Sequence, residues 1–172
     1  NWQSAVLYPT NLLFVILPFP QAWSLHILLQ PLLAGLFTIF FLKSLRRSDA
    51  ASLLGAIAFA YGGFITAWLE WGTLGHALLW LPLALFSIEK SASTKHVARS
   101  RWLMVLVGAL TMSLLAGHLQ ISLYVMVTTV AYAAYRRLPV IVTCRARHAS
   151  PWPPLRPSAN RLAGWLALRA GF

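Results

Sequence analysis

The sequence predicts an all-α fold, a polytopic bundle of membrane-embedded helices, and three observations predict it. The chain of 172 residues is 59% hydrophobic and only 10% charged, with a mean hydropathy of +0.68. Soluble domains are near half apolar and about a quarter charged, so too little charge is left here to cover a globular surface. Secondly, the apolar residues gather into runs close to the length of a membrane span. Thirdly, the basic residues fall between those runs, as they do in loops held on the cytoplasmic side.

Five apolar runs follow in order. Gln21–Leu42 is long enough to span a bilayer at about 1.5 Å rise per residue, and Pro31 is expected to kink it. Ala50–Leu69 is also long enough. Thr73–Ile88 is shorter and contains Pro82. Trp102–Ala116 and Leu119–Tyr135 are short as well, with Gly117–His118 between them. Ahead of these, "YPTNLLFVILPFP" (Tyr8–Pro20) has an apolar core too short to cross and is bracketed by prolines. It is expected to form an interfacial helix or a re-entrant piece within an extracytoplasmic segment, residues 1–20.

Charge placement sets the topology. Lys43, Arg46 and Arg47 form one basic group; Lys90, Lys95, Arg99 and Arg101 form the next; Arg136 and Arg137 form the third. Basic residues mark the cytoplasmic side of short loops, so Gln21–Leu42 runs from outside to inside. The stretch from Arg47 to Lys90 starts and ends basic and must cross an even number of times. It becomes a hairpin with "EWGTLGH" (Glu70–His76) at its outer tip. The residues between Arg101 and Arg136 would make a single helix about 51 Å long, well beyond a span of ~30 Å. They too become a hairpin, with "AGHLQ" (Ala116–Gln120) outside. The expectation is about five membrane-embedded helices over residues 21–137, one crossing plus two hairpins.

The formal net charge of +11 raises nucleic acid as a partner, but that needs a continuous basic face or arm, and these basic residues punctuate apolar runs instead. No nucleic-acid partner is expected. Cys144 is the only cysteine, so no internal disulfide can form. The opening "NWQSAVLYPTN" has no basic n-region or cleavage pattern, and it reads as an interior piece of a longer protein. Residues 138–172 are rich in Pro, Arg and Trp without a sustained apolar run. They read as a disordered or foreign basic tail.

The quoted segments resemble a family. "QSAVLYPTNLLFVILPFPQAWSL", "LLAGLFTIFFLKSL", "LLGAIAFAYGGFITAWLEWGTLGHALLWLPLALFSIEK" and "LLAGHLQISLYV" are similar, in that order, to the early membrane region of YfhO-like bacterial membrane proteins. The resemblance covers about Gln3 to Arg137. It implies a GT-C type membrane glycosyltransferase in the bacterial cytoplasmic (inner) membrane. Such an enzyme takes a sugar from a polyprenyl-phosphate carrier on the extracytoplasmic side and passes it to a cell-envelope glycopolymer. It also implies many more membrane helices, and a catalytic acid in a first extracytoplasmic loop that lies before this chain. Alternatives from other classes are a non-catalytic transporter or scaffold subunit, and an inactive truncated product.

Polar residues at the two tips are the candidate site. Glu70 is an active-site carboxylate, able to deprotonate an acceptor hydroxyl or support a developing oxocarbenium ion, or else a solvated loop residue. His76 and His118 sit at the two tips, where a histidine can bind a phosphate oxygen or shuttle a proton; either can equally be a plain interfacial residue. Trp71, with Trp68 and Trp80, is an aromatic-belt residue or a stacking surface. Gln120 can hydrogen-bond a sugar hydroxyl or satisfy a broken helix end. Tyr8 and Asn11, in the family-like "YPTN", would face the same outer surface as substrate-binding residues. His26 and Gln30, one turn apart, line a polar groove or bond between helices. Neutralising a phosphate there would fall to a loop outside this chain or to a divalent metal ion, and no metal ligands are assigned.

Overall fold

The computed structural model describes residues 4–93 and 96–149, the side chains at 96–98 and 138–149 excepted. Among the described residues every regular element is helical. The chain divides into two compact units, Asn1–Tyr135 and Arg136–Phe172, and the tip residues all belong to the first.

The N-terminal segment folds as a 3-10 turn, Pro9–Leu12, continued by the single turn α1 (Leu13–Ile16). Leu17 is extended, at φ −114° and ψ 153°, because the following Pro18 crowds the helical conformation of the residue before it. Helix α2 (Phe19–Ser44) then starts with Pro20 in its first turn, where no N–H is needed. It continues through Pro31 to Lys43 in its last turn. Ser48 caps α3 (Asp49–Ala60), its hydroxyl accepting the Ala51 N–H at 3.3 Å, and Asp49 places negative charge at the positive helix end.

The apolar run expected over Ala50–Leu69 is interrupted at Tyr61–Gly62, and α4 (Gly63–Ala67) restarts after it. A 3-10 turn, Leu69–Trp71, leads into Gly72 at φ +69°, a left-handed conformation that costs glycine nothing. The run expected over Thr73–Ile88 is likewise broken, into α5 (Leu74–Leu78) and α6 (Leu81–Ser93). Pro82 explains the break, since it has no N–H to give to the carbonyl four residues earlier. Helix α7 (His96–Leu115) ends in a reversal at Gly117, φ +88°, and α8 (Leu119–Ala149) follows. Helix α8 thus carries on through 138–149, the first part of the segment expected to be a tail. The remainder of that segment, 150–172, lies outside the described residues.

Among the described residues two helices are long and apolar enough to cross a membrane by length and composition, Phe19–Ser44 and Asp49–Ala67 taken through its interruption. Their burial pattern is inverted relative to a water-soluble bundle. The inward stripe of α2 is Ala22, His26, Gln30, Ala34 and Thr38, and that of α3 is Ser52, Ala56 and Ala60. Leu28, Leu32, Leu36 and Phe40 of α2, and Leu53, Leu54 and Ile57 of α3, point outward. A soluble helix buries its large apolar face. A helix in lipid has no such drive and packs through small and polar residues. Several buried hydroxyls of the helices bond back within their own helix, although that of Ser52 in the α3 stripe has no partner. Thr38 donates to the Ala34 carbonyl at 2.7 Å, Ser87 to Leu83 at 2.8 Å and Thr129 to Val125 at 2.7 Å.

At the end of the bundle where α2 begins, Tyr8, Leu74, Ala77, Ala116 and Ile121 close into one cluster. Leu79, Ile65, Ala34 and Ala60 close into a second. Both gather around the tip between α4 and α6. The reversal at Gly117 is the most exposed to substitution. Gly117→Ala must hold an L residue at positive φ, at a cost of about 1–2 kcal/mol. We expect its thermal unfolding midpoint in detergent to fall below that of wild type, with Gly108→Ala, where a methyl group meets open space, at least as stable as wild type.

Candidate functional site

Breaking a helix inside an apolar bundle leaves carbonyls without amide partners, and each must find a donor. The interrupted tip does this with side chains from far along the chain. His26 Nε2 donates to the Gly72 carbonyl at 2.9 Å. One turn later Gln30 Nε2 donates to the Leu69 carbonyl at 3.2 Å. In return, His76 Nε2 donates to the His26 carbonyl at 3.0 Å. The His26–Gln30 pair thus bonds between helices, and its partners are the main chain of the tip.

These contacts fix the state of both rings. A carbonyl only accepts, so each Nε2 carries the proton and each Nδ1 of the neutral ring holds a lone pair. Tyr8 Oη lies 3.0 Å from His76 Nδ1 and therefore donates to it. Trp80 Nε1 donates to Tyr8 Oη at 3.1 Å. The result is a directed chain, Trp80 to Tyr8 to His76 to the His26 carbonyl, with the two imidazole centroids 4.1 Å apart. Burial pushes the Tyr8 phenol well above its ordinary range. His76 belongs to the tip, outside both candidate spans. Burial, and then its neighbour His26, hold it down to about 3.

Both nitrogens of His76 are occupied, so the tip histidine expected to act on a ligand is instead the pin that holds the tip. Tyr8, expected to meet substrate, is 1% exposed and its hydroxyl is committed on both sides. Asn11 ties off its own turn, donating to the Ala5 carbonyl at 2.6 Å and the Ser4 carbonyl at 3.2 Å. Serines that the sequence did not mark join the second tip to the first. Ser113 donates to the Ala77 carbonyl at 2.7 Å and Ser122 to the Ser113 carbonyl at 2.6 Å.

The remaining candidates face open space. Glu70 is exposed on the 3-10 turn. Trp71 is 61% exposed and forms a wall shared by two clefts. One, of about 630 Å³, lies against the N-terminal segment and is lined by Asn11, Phe14, Phe19, Trp23, His26, Trp71 and Thr73 among others. The second, of about 450 Å³, is lined by Trp68, Trp71, Thr73, His118, Gln120 and Tyr124. The tips "EWGTLGH" and "AGHLQ" therefore meet, as charge placement predicts. Gln120 Nε2 donates to Tyr124 Oη at 2.9 Å, so its own carbonyl and the Tyr124 proton are left to the cleft. Among the described residues no lysine or arginine lines either cleft, and no group of three His, Cys, Asp or Glu comes together to hold a metal ion.

The third carboxylate, Glu89, is buried towards the far end of α6, where Tyr132 of α8 donates to it. This pair has no local signal, because nothing in "SIEK" announces a tyrosine many residues later.

Two outcomes follow from the tip. A methyl group at Gly75 would overlap Gln30 Oε1, so Gly75→Ala has to displace Gln30 and leave the Leu69 carbonyl bare. The expected loss is about 1–3 kcal/mol, read as a lowered denaturation midpoint in detergent. Acid acts through His76. Its folded value lies below the ordinary 6.5, so the unfolded chain binds the extra proton first. Stability is then complete above about pH 6.5 and falls as pH drops towards 3, by up to about 1.4 kcal/mol per unit. Unfolding midpoints measured across that range should decline, and should decline less in His76→Gln.

No protein-family model, curated protein or solved structure matches the chain.

Proposed function

We propose that the chain is part of a bacterial membrane glycosyltransferase of the GT-C type, moving a sugar from a polyprenyl-phosphate carrier to a cell-envelope glycopolymer on the extracytoplasmic side. One observation carries the reading. The two tips line a common cleft at the end of the bundle away from the basic helix termini, and the aromatic, amide, imidazole and hydroxyl groups there suit a sugar ring and its hydroxyls.

The inverted burial of α2 and α3 supports a bilayer as solvent. Its orientation follows from the cations. Lys43 ends α2, Lys90 lies in the last turn of α6, and Arg99 and Arg101 lie in the first turns of α7. All are at helix ends remote from the tips, where the positive-inside rule puts the cytoplasm of a bacterial inner membrane. In this reading α6 and the two helices meeting at Gly117 complete the crossings, five membrane-embedded helices in all.

Residue roles divide by exposure. Glu70 is the base. It takes the proton of the acceptor hydroxyl as that oxygen bonds to the anomeric carbon, while the glycosyl–phosphate bond breaks and the phosphate leaves on its carrier. Trp71 stacks against the sugar, and Gln120 and His118 bond its hydroxyls. Tyr8, Asn11 and His76 are positioning residues that hold the turn carrying Glu70 and Trp71. The family resemblance implies a further catalytic acid, and no residue named here is assigned that role. No step is assigned to a metal ion.

The test is Glu70→Gln in the full-length protein, assayed for sugar transfer in membranes. Removing a general base costs about 100-fold or more in rate, with membrane levels unchanged. Transfer at the wild-type rate would return Glu70 to the role of a solvated turn residue.

A further inference from the structure

The first cleft shares Trp71 with the second but carries an aromatic wall that sugar transfer does not use. Phe14, Phe19, Trp23 and Trp71 line it. Phe19 and Trp23 are stacked at 16° between planes, with centroids 6.1 Å apart, and Trp23 continues onto His26 at 27° and 6.2 Å. Phe14 leans on all three, at 5.8, 6.3 and 5.7 Å. The outcome is a continuous aromatic wall, with Phe19 68% and Trp23 38% exposed.

The charge around it is one-sided. In the described part of the first unit, Glu70 is the charged side chain on the tip turns, one residue before Trp71. The described lysines and arginines of the first unit sit at the far helix termini, and none of them lines the cleft. His26 adds no N–H to the cleft, because its Nε2–H is spent on Gly72, and its Nδ1 is enclosed without a partner. Aromatic faces attract ammonium groups within about 6 Å through their quadrupoles, and a nearby carboxylate reinforces them.

The geometry points to this cleft as a binding site for the ammonium headgroup of a zwitterionic phospholipid, a ligand separate from any sugar substrate. A lipid is the source because the cleft opens at the end of the two apolar helices and its rim carries exposed Val15 and Leu12, which suit the start of an acyl chain. Its volume of about 630 Å³ is within the usual range for a small-molecule site, ~300–1,000 Å³.

Native mass spectrometry of the purified protein tests this, with phosphatidylethanolamine, phosphatidylcholine and phosphatidylglycerol offered at equal concentration. Trp71 is exposed, so Trp71→Phe and Trp71→Leu can be compared once circular dichroism shows equal helix content. Retention of the two ammonium lipids should survive in Trp71→Phe. It should fall about fivefold in Trp71→Leu, and fall in Glu70→Gln. Phosphatidylglycerol, held by the basic helix ends, should be unaffected by all three. Equal retention of ammonium lipids in Trp71→Leu and wild type overturns the proposal, as does an equal loss of phosphatidylglycerol. Displacement by free choline or ethanolamine at a concentration below that of the lipid overturns the lipid source and makes the ligand a soluble amine.

Discussion

Everything at the tip depends on the carbonyls of Leu69 and Gly72, which a broken helix leaves without amide donors in an apolar setting. Water would satisfy them at a soluble surface for little cost. Inside an apolar bundle each needs a protein donor, and the chain supplies Gln30 and His26 from the inward stripe of α2. That choice constrains the rest. Gly75 must lack a side chain so that Gln30 can pass. Gly72 must be left-handed and close to the His26 ring, so a substituent there would crowd both His26 and Trp23. The α2 stripe must be otherwise small, with Ala22 and Ala34 either side of the polar pair.

The second constraint is protonation. A directed chain from Trp80 through Tyr8 to His76 closes only while His76 is neutral. A proton on its Nδ1 would face a phenol that must then accept from two N–H groups and find a new acceptor for its own hydrogen. The titratable groups facing His76 are Tyr8 from the N-terminal segment and His26 from α2, and neither carries a charge that would offset the added one. The N-terminal segment is therefore held to the bundle by a bond whose strength depends on acidity, even though its flanks, Val6, Leu7 and Val15, lie exposed.

Much of the architecture was legible in the sequence, and the limits of that legibility are instructive. Charge placement put "EWGTLGH" and "AGHLQ" at the same end, and the two tips do share a cleft. Local chemistry marked the turns, Gly72 and Gly117 above all. What could not be read was which polar tip residues are spent on scaffolding. His76 and His118 look like twins in the sequence, each beside a glycine at a hairpin tip. They differ because Tyr8, 68 positions earlier, fills one nitrogen of His76 and the backbone of α2 takes the other. His118 meets no such partner and lines the second cleft. Likewise Glu89 and Glu70 are both single carboxylates in apolar surroundings; only the approach of Tyr132 makes one a buried bond and leaves the other exposed. Such assignments depend on contacts dozens of residues apart, and no periodicity encodes them.

Division of labour among the polar groups accounts for the character of the tip. A chain with only three carboxylates uses Asp49 at a helix start, in an exposed ion pair with Lys43 at 3.2 Å that contributes little stability. It uses Glu89 in a buried bond far from the tip. Glu70 has no structural duty of this kind, and it stands on a short 3-10 turn whose position is set from behind by Gln30 and His26. The interlocked layer of buried Tyr8, His26, Gln30 and His76 with half-buried Trp80 lies beneath, and exposed Glu70, Trp71 and Gln120 with half-buried His118 lie above. A site needs both: groups free to meet a ligand, and a second tier that keeps them from moving when they do. The tip has this two-tier construction because satisfying its broken backbone already required the lower tier, so the apolar solvent that makes the helix break costly is also what makes the turn above it rigid.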